Sequence, residues 1–416
     1  MSRDEFLIAH WTPYPQPLAS YWGAKEWSFG KVAQNIAQNK GGALRLVGLS
    51  SVFEISSQQM RDPVLGVSIP VEWLCEGDSV AYQHTTAAVF LLSPNLHLQE
   101  FAQNRPFALA ATEPWQKFLE VVRLYFVGEG FRYWHTPNLL VSPGIDAHID
   151  FFTAKGTRTH QTYFLPTSPE FALKKALASG ETKVFEIKSC FRDDDKSPTH
   201  SPEFLMLEWY RAYADKWALF EDFLNLVRFV SKEMEVPLPS SFLPSQISIS
   251  DLFLQKINFP LQPNTTRNEL QELLEKHKLH WSPSDDWDDL FFRLYIEFIE
   301  SSLGDVGPQA IFNFPMSQGS LARATNDGWA DRFEIYWQGL ELANAYQEQN
   351  DPKQMEKRYQ TEIEKRTRAN KKPHPRDPHF LAKMQEGLPP CAGIALGLDR
   401  LWMVLNNLSS IQSLRQ

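Results

Sequence analysis

The sequence predicts an α+β protein: a small β-rich N-terminal part, then a larger body in which an antiparallel sheet is flanked by helices. Three observations lead there. Short runs rich in β-branched and aromatic residues crowd residues 42–95. The pattern becomes helical near residue 105. Two later segments each read as strand, turn, strand, which makes their pairing antiparallel.

Composition narrows the class. The chain has 416 residues, 43% hydrophobic and 22% charged, enough to bury a large core without disulfides. Its three cysteines, Cys75, Cys190 and Cys391, are far apart and form no C-x-x-C pair, so buried reduced thiols are expected. No apolar run approaches the ~20 residues of a membrane span, and the first residues lack the apolar stretch of a secretory signal. A cytoplasmic location is the expectation. The net charge of -9 does not favour a dedicated nucleic-acid binder.

Residues 1–104 read as one domain and residues 105–416 as another. The first 35 residues show no clear period and read as an irregular arm. The runs after it, ALRLVGLSSVFEI and SVAYQHTTAAVFLL, fit either a small OB-like barrel or an irregular β-extension. In the second domain, Thr112 is a candidate N-cap, with Pro114 in the first turn. Phe118, Val121, Val122, Tyr125 and Phe126 form the apolar stripe, and Gly128 and Gly130 end it. A short strand, FRYWHT, runs into Pro137. Residues 234–290, partly rich in Pro and Ser, read as a peripheral insertion with a helix near 267–278.

Three segments carry chemistry. In KVFEIKSCFRDDDKSPTHSPEFLMLEWYRAY, strands Val184–Arg192 and Glu203–Tyr210 flank a long polar loop. Period-2 alternation puts Phe204, Met206, Glu208 and Tyr210 on one face. Burying an unpaired carboxylate is costly, so that face should look into a polar pocket. In DRFEIYWQGLELANAYQEQ, Gln338-Gly339 makes a tight turn that pairs Trp337 with Leu340 and Tyr336 with Glu341. Glu334 and Glu341 then share a face. They could hold a hard cation such as Mg2+, or stand exposed beside basic neighbours. In GLPPCAGIALGLDRLWMVL, a Gly-rich strand turns into an apolar helix at Asp399-Arg400, where an Arg can reach an anion.

These segments together resemble the three motifs of class II aminoacyl-tRNA synthetases, in the lysyl branch: the helix–strand–Pro137 unit, FRDDD…HSPEF, and GIALGLDR. Within it, Ser168-Pro169-Glu170, FPMSQGSLA, Trp209 and Ala395 are most similar to the elongation factor P lysine ligase family. The resemblance implies an ATP-dependent ligase that activates lysine or (R)-β-lysine as an adenylate. It implies transfer to a lysine side chain of elongation factor P, and a homodimer formed through motif 1. Charging of tRNA and a non-catalytic paralogue are the competing readings. Residues 1–105 hold seven Lys/Arg against nine Asp/Glu, which weighs against tRNA.

The resemblance also assigns residues. Arg192 and Arg400 would be catalytic, Arg192 on the α-phosphate and substrate carboxylate, Arg400 reaching the γ-phosphate. Phe204 would stack on adenine with Arg400 on the base's other face. Asp194, His200, Ser201, Glu341 and Gly397 would complete the ATP site, with Glu334 and Glu341 as Mg2+ ligands. Ser168, Glu170, Glu208, Tyr210, Asn344, Glu348 and Ala395 would form the amino-acid pocket. The chain departs from the family pattern at Asp194, Ser201, Ala345 and Gln347. Nine basic residues against three acidic ones between Lys353 and Arg376 read as an acceptor-docking surface or a solvated helix face.

Overall fold

The structure, a computed structural model, describes residues 109–411 except 148, 195, 196, 240 and 241, with side chains from residue 114 onward; before residue 109 it describes the backbone of seven strands. The chain divides into two compact units, Met1–Pro106 and Phe107–Gln416.

The first unit contains β1 (Trp27–Asn35), β2 (Ala43–Val47), β3 (Val52–Ser56), β4 (Met60–Arg61), β5 (Ser68–Ile69), β6 (Ser79–Gln83) and β7 (Ala88–Ser93). They form one sheet, ordered β3-β2-β1-β6-β7-β4-β5. Strand β1 corrects the reading of residues 1–35 as wholly irregular. Its pairing with β2 shifts register between Val32 and Gln34, which breaks the alternation a strand normally displays. Residues 1–26 and Cys75 lie outside the described residues.

The second unit is built on eight strands: β8 (Arg132–Tyr133), β11 (Lys183–Phe191), β12 (Glu203–Ala212), β13 (Ser245–Ser248), β14 (Gln309–Phe314), β15 (Ala330–Trp337), β16 (Leu340–Gln347) and β17 (Cys391–Gly397). Their order is β13-β14-β15-β16-β17-β12-β11-β8. Only the outermost pairs, β13·β14 and β11·β8, are parallel. Strands β9 (Thr153–Lys155) and β10 (Thr162–Phe164) form a separate hairpin-like pair.

Alternation along the central strands sorts two environments. Leu207, Trp209, Ile394, Leu396, Ala343 and Ala345 point to one face and join the main core. That core also takes Phe118 and Phe126 from α1 (Leu109–Gly128), Leu219 and Phe223 from α3 (Lys216–Glu233), and Leu401 from α9 (Leu398–Leu405). Phe126 stacks on Phe185 at 5.0 Å. The opposite face carries Phe204, Met206, Glu208 and Tyr210 and is left for the site.

Helix α1 starts at Leu109, ahead of the expected Thr112 cap, so Pro114 falls inside it. The stripe Phe118, Val121, Val122, Tyr125 and Phe126 is buried, and Gly130 leaves the helix at φ +78. Of FRYWHT, only Arg132–Tyr133 pairs in the sheet. The insertion contains α4 (Ile249–Ile257), α5 (Arg267–Lys276) and α6 (Trp287–Phe298), around a second core. Both α5 and α6 open with capping boxes, Thr266/Glu269 and Asp286/Asp289, which satisfy backbone donors and fix where each helix begins. The other helices are α2 (Glu170–Ala178), α7 (Pro352–Arg368) and α8 (Pro378–Glu386).

Candidate active site

A cavity of about 350 Å³ opens on the polar face of the sheet. Its floor follows from register. Glu208 pairs with Ala395 and Tyr210 with Gly393, while Asn344 pairs with Ala395 from the other side. The β15–β16 turn forms as expected, with Trp337 opposite Leu340 and Tyr336 opposite Glu341. Gln338 (φ 55) and Gly339 (φ 72) are both left-handed, as a type I′ turn requires. Register then shifts, because Ile335 pairs with Ala343 and Glu334 with Asn344, leaving Leu342 as an extra residue. Without that bulge Asn344 would point into the core. With it, Glu341 and Asn344 both reach the cavity despite opposite sequence parity.

Arg192, Asp194, His200, Ser201, Phe204, Glu341, Gly397 and Arg400 gather at one end. The Arg192 guanidinium lies 5.2 Å from the Phe204 ring centre, and its buried Nε has no hydrogen-bond partner. Arg400 is held by three contacts: Nη1 donates to the Glu341 carbonyl (2.7 Å), Nε to the Thr199 carbonyl (3.3 Å), and Nη2 meets His200 Nε2 (2.8 Å). Burial, and then the Arg400 charge, hold the His200 pKa below its ordinary value. A neutral His200 can therefore accept from Arg400 at Nε2, leaving Nδ1–H for the Ser197 hydroxyl at 2.8 Å. These contacts tie Arg400 to β16 and to the loop before β12.

Ser168, Glu170, Glu208, Tyr210, Asn344 and Ala395 border the other end. The Ser168 hydroxyl donates to Glu208 Oε1 (2.5 Å) and the Tyr210 hydroxyl to Oε2 (3.0 Å). Burial, with Glu170 adding repulsion, pushes the Glu208 carboxyl up to about 8. Asn344 Oδ1 and Glu348 Oε1 are buried without hydrogen-bond partners. Asn344 lines the cavity, and an orphaned buried oxygen there calls for a polar ligand. Tyr210 fits only because residue 393 has no side chain: a Cβ there would stand 2.1 Å from Tyr210 Cε1. Gly393→Ala is therefore expected to remove amino-acid activation while leaving ATP binding, read by nucleotide titration against substrate-dependent turnover.

Two of the expected residues are not on the cavity wall. Glu348 stands over Gly393 on the side that carries Tyr210, its Oε1 2.7 Å from where a Cβ would be, and is buried against Lys174. Glu334 lies beside the cavity, held by the Arg332 guanidinium and by the Tyr336 hydroxyl at 3.1 Å. Burial raises its pKa, Arg332 opposes the rise, and Glu341 and Glu300 add to it. The Glu300 carboxyl is likewise pushed up by burial and by Glu341. Glu334 and Glu341 offer oxygen donors only, the kind a hard cation takes. Among the described residues no group of three or more His, Cys, Asp or Glu is placed so that it could hold a metal ion.

Sequence reasoning missed Arg332, which neutralises Glu334, and Lys174, which lies between Glu170 and Glu348. The signal for Lys174 was its i,i+4 spacing from Glu170. Trp209, singled out for its resemblance, is a core residue whose Nε1 donates to Asp222 (3.1 Å). Ser317 bonds Asp288.

An antiparallel sheet with arginines at one end of its cavity and carboxylates at the other defines a class II synthetase core. The chain belongs to the family of class II tRNA synthetases (D, K and N), which it matches over residues 107–415. It is similar to the elongation factor P--(R)-beta-lysine ligase of Haemophilus ducreyi, at 32% identity over 303 residues, covering 71% of this chain and 90% of that protein. A ligase homolog of Aquifex aeolicus is 33% identical over 294 residues, covering 70% and 93%. The ligase of Vibrio parahaemolyticus is 32% identical over 295 residues, covering 69% and 88%. Among the described residues no helix is long and apolar enough to cross a membrane.

Proposed function

We propose that the protein is an ATP-dependent ligase that activates lysine or (R)-β-lysine as an adenylate and transfers it to a lysine side chain of elongation factor P. One observation carries this reading. The cavity joins two arginines at one end to Glu170, Glu208 and Tyr210 at the other, with the orphaned Asn344 Oδ1 between them. A molecule with anionic phosphates and two ammonium groups satisfies both ends.

In the first step the substrate carboxylate attacks the α-phosphorus and pyrophosphate leaves, so no general base is needed. Arg192 neutralises charge at the α-phosphate, Phe204 takes the adenine face, and Arg400 meets the distal phosphates. Glu334 and Glu341 are the residues that would hold Mg2+, which would supply charge neutralisation on the phosphate oxygens. In the second step the acceptor amine attacks the adenylate carbonyl, AMP leaves, and the amine loses a proton to solvent. Ser168 sharpens this pocket, since its hydroxyl orients Glu208, which an alanine there could not do.

Leu124 and Val127, 63% and 55% exposed on α1, support a homodimer through that helix. The basic segment from Lys353 to Arg376 gives less support to acceptor docking. Arg366 and Lys371 bind Asp150, Arg376 binds Glu356, Arg368 binds Glu364, and Lys365 binds Glu362.

The test offers the purified protein ATP with lysine and both β-lysines, measures pyrophosphate exchange, and then supplies elongation factor P or tRNA. Exchange followed by labelling of elongation factor P is expected. Exchange followed by tRNA charging alone would assign the acceptor to tRNA, and no exchange would favour a non-catalytic paralogue.

A further inference from the structure

Lys174 is a fully buried lysine that the proposed chemistry does not use. It lies one turn along α2 from Glu170, and its Nζ is 2.6 Å from Glu170 Oε1 and 2.6 Å from Glu348 Oε2. Glu170 begins the helix and borders the cavity, whereas Glu348 follows β16 and stands over Gly393 beside Tyr210. The lysine therefore joins two carboxylates that come from separate elements and converge on one end of the cavity. Burial opposes its charge, but Glu170 and Glu348 outweigh burial and keep it protonated.

We propose that Lys174 is a positioning residue that sets how many positive charges the amino-acid pocket accepts. This rests on the reading of the site as a lysine or β-lysine pocket. Glu170, Glu208 and Glu348 can contribute three negative charges, and Lys174 cancels one. Two remain, matching the two ammonium groups of either amino acid. A ligand with a single ammonium leaves a buried carboxylate unpaired, which the site penalises. Without Lys174 the pocket carries an excess negative charge, and Glu170 and Glu348 repel each other out of position.

A charge-count role differs from a simple clamp between α2 and β16 in its response to compensation. Lys174→Met is expected to raise the KM for lysine by about tenfold to a hundredfold, the loss of one charge-assisted interaction, with a much smaller change in kcat. Glu348→Gln alone is also expected to raise KM. Lys174→Met/Glu348→Gln restores the count of two and should show a lower KM than Glu348→Gln alone, the opposite of additive damage. If Lys174→Met fails to fold, that last comparison decides, because the double variant leaves no unpaired carboxylate. A double variant whose KM equals or exceeds that of Glu348→Gln overturns the inference, as does Lys174→Met with unchanged KM. Absence of exchange with lysine and both β-lysines in the unaltered enzyme overturns the functional reading, and this inference with it.

Discussion

Arg192→Ala is expected to lower ATP–pyrophosphate exchange by about a hundredfold to a thousandfold, the usual cost of removing a donor aimed at developing charge. Arg192 follows directly on β11, its backbone N–H donating to the Pro202 carbonyl at 3.0 Å, so its position is fixed by the β11–β12 hairpin. Its guanidinium covers Phe204 while Nε stays buried and unpaired. Removing a guanidinium whose buried Nε makes no hydrogen bond should cost the fold little, so the melting temperature should stay near that of the unaltered protein. Arg192→Lys should not restore the rate, since an ammonium lacks the planar fork needed to hold phosphate and carboxylate together. The measurement is exchange at saturating lysine with a parallel melt. A loss smaller than tenfold would remove Arg192 from the α-phosphate.

Glu208→Gln should move activity and stability in opposite directions. The carboxylate is wholly buried and accepts from Ser168 and Tyr210, so replacing it should reduce lysine activation by about tenfold to a hundredfold. The stability effect follows from its raised pKa, about 8 in the folded state against an ordinary value of 4.5. Between those values the folded protein holds a proton that the unfolded chain has released. Stability of the empty enzyme therefore falls as pH rises across that window, by at most about 1.4 kcal/mol per pH unit from this group. Glu208→Gln removes that slope, so the empty variant should melt higher than the unaltered enzyme at pH 8 and above. Lysine should erase the difference by stabilising only the enzyme that keeps the carboxylate. Melting curves from pH 5 to 9, with and without lysine, check both halves.

Much of this site was legible because strand alternation is a simple rule. Phe204, Met206, Glu208 and Tyr210 share a face by period alone, and they line the cavity. The Gln338-Gly339 turn could be placed because few residues tolerate its backbone. The bulge at Leu342 could not be read, since nothing local marks it. Yet it puts Asn344 on the same side of the sheet as Glu341. The start of α1 was misread because Thr112 and Pro114 look like a cap and a first turn, although the helix begins at Leu109. Arg332 and Lys174 were missed for another reason. Each acts by neutralising carboxylates, and a buried cation is recognised only when the fold brings its partners together.

The account depends most on the claim that the cavity turns over a dicationic amino acid. Pyrophosphate exchange with lysine, (R)-β-lysine and norleucine, which lacks the second ammonium, tests that claim most directly. The account predicts exchange with at least one of the first two and none above background with norleucine. Exchange with norleucine comparable to that with lysine would contradict it, because Glu170, Glu208 and Tyr210 would then not be reading charge.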